Sequence, residues 1–520
     1  MVECPPLNPT TDQQIFVEAP LAASESLLAK NPWVEAMLLL RNAFYRTTHY
    51  KRKDMKMKRK KNGFWVLLSI VVIVSFAVVG FDLLNPLPEG GEYEPEVLRV
   101  WGTWGDDRDQ MQPIFDRFTQ EIGQPVKVAT GVEADQLEKA LASDTPPDVV
   151  VLSNNASVAS YYQQGWIEPL DGWIETTYID LDDIYPAPLT QCKLPDGIYP
   201  CLPWGMDTFA LYWNKDLFAA AGLDPERPPQ TMEELQEYTE QLTIRDEAGE
   251  FSQVGFIPDY PRSHIDLYAH MFGGSWYTEV DSDLVVNSQP VIDALNWQSQ
   301  FYNQMGIEEA DLFVSSINPY MNSDHPVLGG NRLNCQQCHR YMPAKKRNMP
   351  EQGFYDGKVA MMVDGAWQLG VNYIPNFNSE LNYGVAPFPP SFQHPERANS
   401  SVVQGPVVVI PSGAQDKDVT AQLLAWIMSP ETVAEVAHAT TLLPSSVIAA
   451  QDPRFQQIPQ LQVFMDLMTS SNTSATLSTP ISMEVNMALA EVEKDVLHKQ
   501  GSDPTLLLSE VQAELQKNSQ

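Results

Sequence analysis

The sequence predicts an α/β protein of two compact domains, and three observations carry that prediction. At 520 residues the chain exceeds what one ordinary core fills, so two domains plus appendages are expected. Between residues 97 and 155 short apolar runs alternate with amphipathic ones: VLRVWGTW, QMQPIFDRFTQEIG, VKVATG, a helical stretch over 136–141, and PPDVVVLSNN. That β-α-β-α-β order implies a parallel sheet, since a crossover is needed to start each new strand in the same direction. Hydrophobic residues make up 43% of the chain, which places it with globular rather than disordered proteins.

Each element has a local reason. VLRVWGTW, 97–104, alternates β-formers and then breaks into a polar loop, so it reads as the first strand, with Trp101 assigned to the core. The helix that follows ends near Gly123 and places Met111, Ile114, Phe115 and Phe118 on one face. VKVATG supplies the second strand and VVVL the third. Ligand loops of a parallel sheet sit at the carboxyl ends of its strands, which singles out 101–106 and 153–155. Further along, Thr231 and Glu234 in TMEEL form a capping box, and Ser429 with Pro430 and Glu431 opens another helix.

An N-terminal arm precedes this body. The run FWVLLSIVVIVSFAVVGFDLL, 64–84, has about the 20 apolar residues that a helix needs to cross the hydrocarbon layer. Before it lies KRKDMKMKRKK, 51–61, whose positive charges favour the cytoplasmic side. The expected organisation is a cytoplasmic or mis-annotated segment at 1–62, a transmembrane helix serving as anchor or signal at 63–85, a linker at 86–96, and an exported body. No Cys and no small-x-small site closes the apolar run, which favours an uncleaved anchor. Met55 and Met57 open a conventional basic leader, so translation is expected to begin there; otherwise residues 1–54 form a short cytoplasmic tail.

Charge narrows the ligand. The net is −34, and about 11 basic and about 6 acidic residues precede Asn62, so the acidity belongs to the body. Such a surface repels phosphate backbones and anionic headgroups, which disfavours nucleic acid and leaves a neutral or cationic solute. Cys192 and Cys201 flank KLPDGIYP, and a disulfide between them is expected in an oxidising compartment. Cys335, Cys338 and His339 form CQQCH, the c-type haem attachment pattern, within an insertion at about 313–352. Three readings stay open for it: a local disulfide, a metal clip, or covalent haem. No other cofactor or metal is expected.

In series, YPCLPWGMDTFALYWNKDLFAAAGLDP, PQTMEELQEYTEQL, GKVAMMVDGAWQLG, NYGVAPFPP, VVVIPSG and AQLLAWIMSPETVAEV resemble the extracellular solute-binding proteins of family 1, which include the maltose-binding proteins. The resemblance runs from about residue 97 to the end of the chain. Departures are the cysteine-bearing insertion, the Cys192–Cys201 loop, and QGP at 404–406 where a Gly-Gly pair is more usual. The resemblance implies a periplasmic-binding-protein-like fold of two discontinuous α/β lobes, 97–212 with 400–452 and 213–399 with 453–520, closing on ligand about a hinge. It implies a monomer without catalytic groups that captures a sugar or oligosaccharide and delivers it to an ABC permease with its ATPase subunits.

A sugar offers an apolar ring face and a rim of hydroxyls, so its pocket needs flat aromatics and polar partners. By the family pattern Trp367 in DGAWQ holds a stacking position, with Trp104 and Trp204 in equivalent ligand-facing loops. Asn154, Asn155 and Asp207 are the expected hydroxyl partners, followed by Gln404, Arg108 and Trp276. Rival readings are an electron-transfer protein built on CQQCH and a binder of polyamines or quaternary amines through cation-π contacts. Hydrolase and kinase readings lack support, since HExxH, GxSxG and phosphate-binding Gly-rich loops are all missing from the sequence.

Overall fold

The computed structural model describes residues 96–103, 108–277, 283–317 and 350–518. The apolar run at 64–84, Trp104 and the CQQCH motif lie outside the described residues, and within those residues no helix is long and apolar enough to cross a membrane.

The chain opens with β1 (Leu98–Gly102), β2 (Val126–Ala129) and β3 (Val149–Leu152), linked by helices Arg108–Ile122 and Ala134–Leu141. β1 pairs parallel to both β2 and β3, as the strand-helix alternation requires. After β4 (Leu202–Pro203) come β5 (Gly205–Thr208) and β6 (Ala210–Asn214), then a short hairpin of β7 (Ile244–Arg245) and β8 (Phe251–Gln253). β9 (Met361–Asp364) and β10 (Tyr383–Pro387) precede β11 (Val402–Gln404) and β12 (Val407–Val409), with β13 (Leu443–Pro444) and β14 (Ser474–Ala475) completing the set.

Two lobes follow from how these strands pair. The first lobe holds the sheet β2-β1-β3-β12-β4, in which β12 runs antiparallel to both neighbours. The second holds β10-β6-β9. A four-stranded sheet, β13-β5-β11-β14, contains the two strands that carry the chain from one lobe's sheet to the other's. The sequence reading extends the first lobe to residue 212, but β6 pairs with β9 and β10 over 210–214. The crossing therefore falls at β5, and β6 belongs to the second lobe. An unbroken apolar strand reads alike whichever sheet receives it, which is why the boundary was set late.

Both faces of the first sheet are covered, and the strand period of two sorts their residues. Val100, Val149, Val151 and Val408 join the principal core. Trp101, Val150, Leu152, Val407 and Val409 face a second cluster that includes Cys192 and Cys201. Those two cysteines are joined by a disulfide that ties the end of helix Pro186–Gln191 to the start of β4. Closing so short a loop stabilises the fold by about 2–3 kcal/mol on the chain-entropy model. Both N-caps form: Thr231 accepts from the Glu234 N–H and Ser429 from that of Thr432, while the Glu234 carboxylate reaches back to the Gln230 N–H, one residue before the N-cap N–H of the expected capping box.

Where the two crossing strands pass, their backbones nearly touch. A Cβ at Gly405 would lie 2.3 Å from the Gly205 carbonyl oxygen and 2.7 Å from the Met206 Cα. Only glycine allows that approach, so one glycine in QGP does the steric work expected of the usual pair.

Buried titratable groups make stability depend on pH. Burial raises the Glu493 carboxyl from 4.5 to about 8 and lowers the His264 and His270 imidazoles from 6.5 to about 3 and about 4. The raised carboxyl contributes stability that is present below its ordinary value and lost as pH rises toward 8. The lowered imidazoles contribute stability that is present above 6.5 and lost as pH falls through 4 and 3. Asp266 and Asp364, raised by burial from 3.8 to about 6 and about 7, act in the same direction as Glu493, so the melting temperature is expected to peak below pH 6.5 and to fall as pH rises toward 8. Differential scanning calorimetry checks this, and a value that still climbs up to pH 8 would contradict it.

Candidate ligand-binding site

The site is built where β9 ends against the crossing strands. After Asp364 the chain turns at Gly365 into the 3-10 helix Ala366–Leu369, which carries Trp367. Glycine at 365 leaves room for the ring in this position, since a Cβ would lie 2.3 Å from Cζ3 of Trp367. Asp207 on β5 pins this turn: its two carboxylate oxygens accept from the Ala366 N–H at 2.9 and 3.0 Å. The Thr208 N–H adds a third bond, at 2.8 Å. Burial still drives the Asp207 carboxyl well above its ordinary range, against those N–H groups and with a push from Asp364.

Trp367 is half-buried and meets Phe209 edge-on, with ring centroids 6.1 Å apart. Beside it the Arg262 guanidinium lies 5.1 Å from the indole centroid. Nη2 of Arg262 donates to Glu351 Oε1 and, at 3.3 Å, to Asp364 Oδ2. The two carboxylate side chains are 1% and 0% exposed, against 40% for the arginine, so the anions are the fixed part of the cluster. Asp364 also accepts from Gln368 Nε2 at 2.8 Å, while Gln368 Oε1 accepts from the Tyr355 hydroxyl at 2.6 Å. Burial raises the Asp364 carboxyl; Arg262 opposes that rise and Glu351 adds to it.

The other expected residues divide. Gln404 is exposed on β11, directly opposite Asp207 in the register with β5, while Asp207 itself is 1% exposed and holds the backbone of the Trp367 turn instead of facing a ligand. Asn154 is exposed at the carboxyl end of β3, where its Oδ1 accepts from the Ala156 N–H at 2.9 Å and shapes the loop. Asn155 is buried, and its Nδ2 donates to the carbonyls of Gln191 at 2.9 Å and Thr476 at 2.8 Å. It braces the loop instead of facing a ligand.

Trp204 needs the clearest correction. It is 1% exposed, its indole N–H donates to the Ile427 carbonyl at 3.2 Å, and its ring packs on Phe115. That is a core side chain with no face left to stack on a sugar. Trp276 is likewise buried, and Arg108 opens helix Arg108–Ile122.

Sequence reasoning missed Arg262, Glu351, Asp364 and Gln368. A partial signal was present, since Asp364 and Gln368 flank Trp367 within DGAWQ. Among the described residues no group of His, Cys, Asp and Glu side chains is arranged to hold a metal ion. What the arrangement offers is an aromatic surface ringed by hydrogen-bonding groups, with no nucleophile and base in contact.

Two α/β lobes joined by crossing strands, with an aromatic turn pinned between them, define a two-lobed solute-binding protein. The family model for bacterial extracellular solute-binding proteins matches residues 114–463, and the chain belongs to that family. It is thus an extracytoplasmic substrate-binding protein of the ABC-importer kind and not an enzyme. A maltotriose-binding protein of Pyrococcus abyssi is 22% identical over 391 residues, covering 74% of this chain and 73% of its own. The sn-glycerol-3-phosphate-binding periplasmic protein UgpB of Yersinia enterocolitica is 24% identical over 251 residues, 48% of this chain and 49% of its own. Among solved structures, CpMnBP1 with mannotriose bound superposes with a TM-score of 0.66 at 24% identity, over 80% of this chain and 99% of that one. UgpB from Mycobacterium tuberculosis in complex with glycerophosphocholine gives 0.58 at 18% identity, over 82% and 98%. At these identities the structural likeness shows the fold.

Proposed function

We propose that the solute is a neutral sugar or oligosaccharide, held between the lobes and passed to a membrane permease with its ATPase subunits. The relatives named above bind two chemistries, oligosaccharides and phosphoesters, so the family alone leaves the choice open. One observation favours the first: the Arg262 cation beside Trp367 is already matched by two buried carboxylates, Glu351 and Asp364. A phosphoester would find no uncompensated positive charge there. Nor does the cluster suit a polyamine or quaternary amine, because a guanidinium already occupies the cation-π position at Trp367. An aromatic surface flanked by hydrogen-bonding groups, with its cation already matched, suits hydroxyl-rich rings.

In this reading the lobes close by bending at β5 and β11, and the apolar run at 64–84 holds the body outside the cytoplasmic membrane. The test is a thermal-shift series on the purified protein with maltotriose, mannotriose, glycerol-3-phosphate, glycerophosphocholine, spermidine and glycine betaine. A solute bound only by the folded form stabilises it by about 2.7 kcal/mol at a hundred times its Kd. An oligosaccharide is expected to raise the melting temperature; a shift with a phosphoester or an amine alone overturns the proposal. The absorption spectrum of the same sample decides the haem reading of CQQCH, since covalent haem gives a Soret band.

A further inference from the structure

We infer that Arg262 is a ligand-contacting, specificity-determining residue, fixed on one side by Glu351 and Asp364 and donating from its remaining edge to hydroxyl or ring oxygens of a neutral sugar stacked at Trp367. The inference rests on the sugar reading above and assigns the donor that reading lacks.

The geometry separates the two edges of the guanidinium. Nη2 alone makes both carboxylate contacts. Nη1 makes no hydrogen bond with any described residue and is the donor left for a ligand, whereas Nε is buried without a partner. The side chain is 40% exposed although both carboxylates beneath it are essentially inaccessible. A surface arginine recruited only to hold a loop would be expected to spend its fork on the carboxylates in a bidentate pair; here half of the fork is left over, next to the aromatic.

The carboxylates explain why this donor is ready before the ligand arrives. Burying two acidic side chains carries a desolvation cost, and apolar residues of similar volume often give equal or better stability. Placed on either side of Nη2, they remove the freedom an arginine otherwise loses on binding. Together they more than match its single positive charge. The guanidinium therefore acts as a directional donor and not as an anion trap. Gln368 and Tyr355 carry the same order outward: Gln368 bonds Asp364 at 2.8 Å and Tyr355 bonds Gln368 at 2.6 Å. Since Gln368 follows Trp367 directly, the stacking surface and the donor are positioned by a single network.

The test compares the wild-type chain with Arg262→Lys and Arg262→Gln by titration calorimetry against maltotriose and mannotriose, with the melting temperature measured without sugar. Lysine keeps the positive charge between Glu351 and Asp364 but lacks the planar second edge. Arg262→Lys is expected to melt near the wild-type temperature and to bind the sugar about 10- to 100-fold more weakly, the loss typical of a hydrogen bond from a charged donor. Arg262→Gln, which leaves the carboxylates uncompensated, is expected to weaken binding at least as much and to melt lower. Unchanged affinity in Arg262→Lys overturns the inference while the sugar reading stands. So does a lower melting temperature with unchanged Kd measured below it, which marks a structural role. If the wild type binds neither sugar, the sugar reading falls and takes the inference with it.

Discussion

Replacing Trp367 by alanine is expected to weaken oligosaccharide binding about 100-fold while the melting temperature without sugar changes little. The indole is the half-buried aromatic of the site, and a stacked aromatic anchor at the centre of an interface contributes roughly 2 kcal/mol or more on truncation. Its loss also deprives Arg262 of the ring it lies against, 5.1 Å away. Because part of the ring is open to solvent, its removal leaves an accessible hollow rather than a sealed cavity, and the surrounding fold loses less than a core truncation costs. The network beneath it does not depend on the indole, since Asp207 holds the turn through the Ala366 backbone. Calorimetry on the variant checks the first half and a melting curve the second; an unaltered Kd would sink this assignment of the pocket.

The opposite outcome is expected for Trp204→Ala. Truncating a fully buried tryptophan costs about 3–5 kcal/mol, and here the ring packs against Phe115 while its N–H satisfies the Ile427 carbonyl. A denaturant titration should show the unfolding free energy falling by that amount, read from a lower midpoint at an unchanged slope. The sugar affinity of the molecules that remain folded should match the wild type, and a selective loss of affinity would return Trp204 to the site. One tryptophan thus serves recognition and the other cohesion, although both sit just past a short strand.

That pair shows how far sequence reasoning reaches. The periodicity of Met111, Ile114, Phe115 and Phe118 located a helix face that the structure buries, and the short apolar runs before and after it located three strands, because these patterns are local. Trp367 was legible through its motif, whereas Asp207, named as a hydroxyl partner, is 1% exposed and spends its carboxylate on the Ala366 and Thr208 N–H groups. Trp204 and Asn155 were misassigned because an aromatic or amide at a strand end looks the same in sequence whether it faces a cleft or the core. Arg262 was passed over for a related reason. Its partners lie at 351 and 364, and nothing in YPRSH announces that two buried acids will meet it.

The antiparallel strand β12 has a consequence for how the molecule is made. The first lobe's sheet lacks the strand between β3 and β4 until residues 407–409 are available, because β12 pairs with both. The second lobe waits later still, as helices Ser482–His498 and Pro504–Asn518 pack on helix Gln289–Met305. Neither half can complete itself while the chain is being synthesised from its N-terminus, since the closing contacts are distant in sequence and form slowly. A polypeptide that stays unfolded until nearly all of it has emerged is well matched to an export route that threads extended chain across a membrane. The same non-local topology that puts a cleft between two lobes thereby postpones each lobe's closing contacts to the last part of the chain.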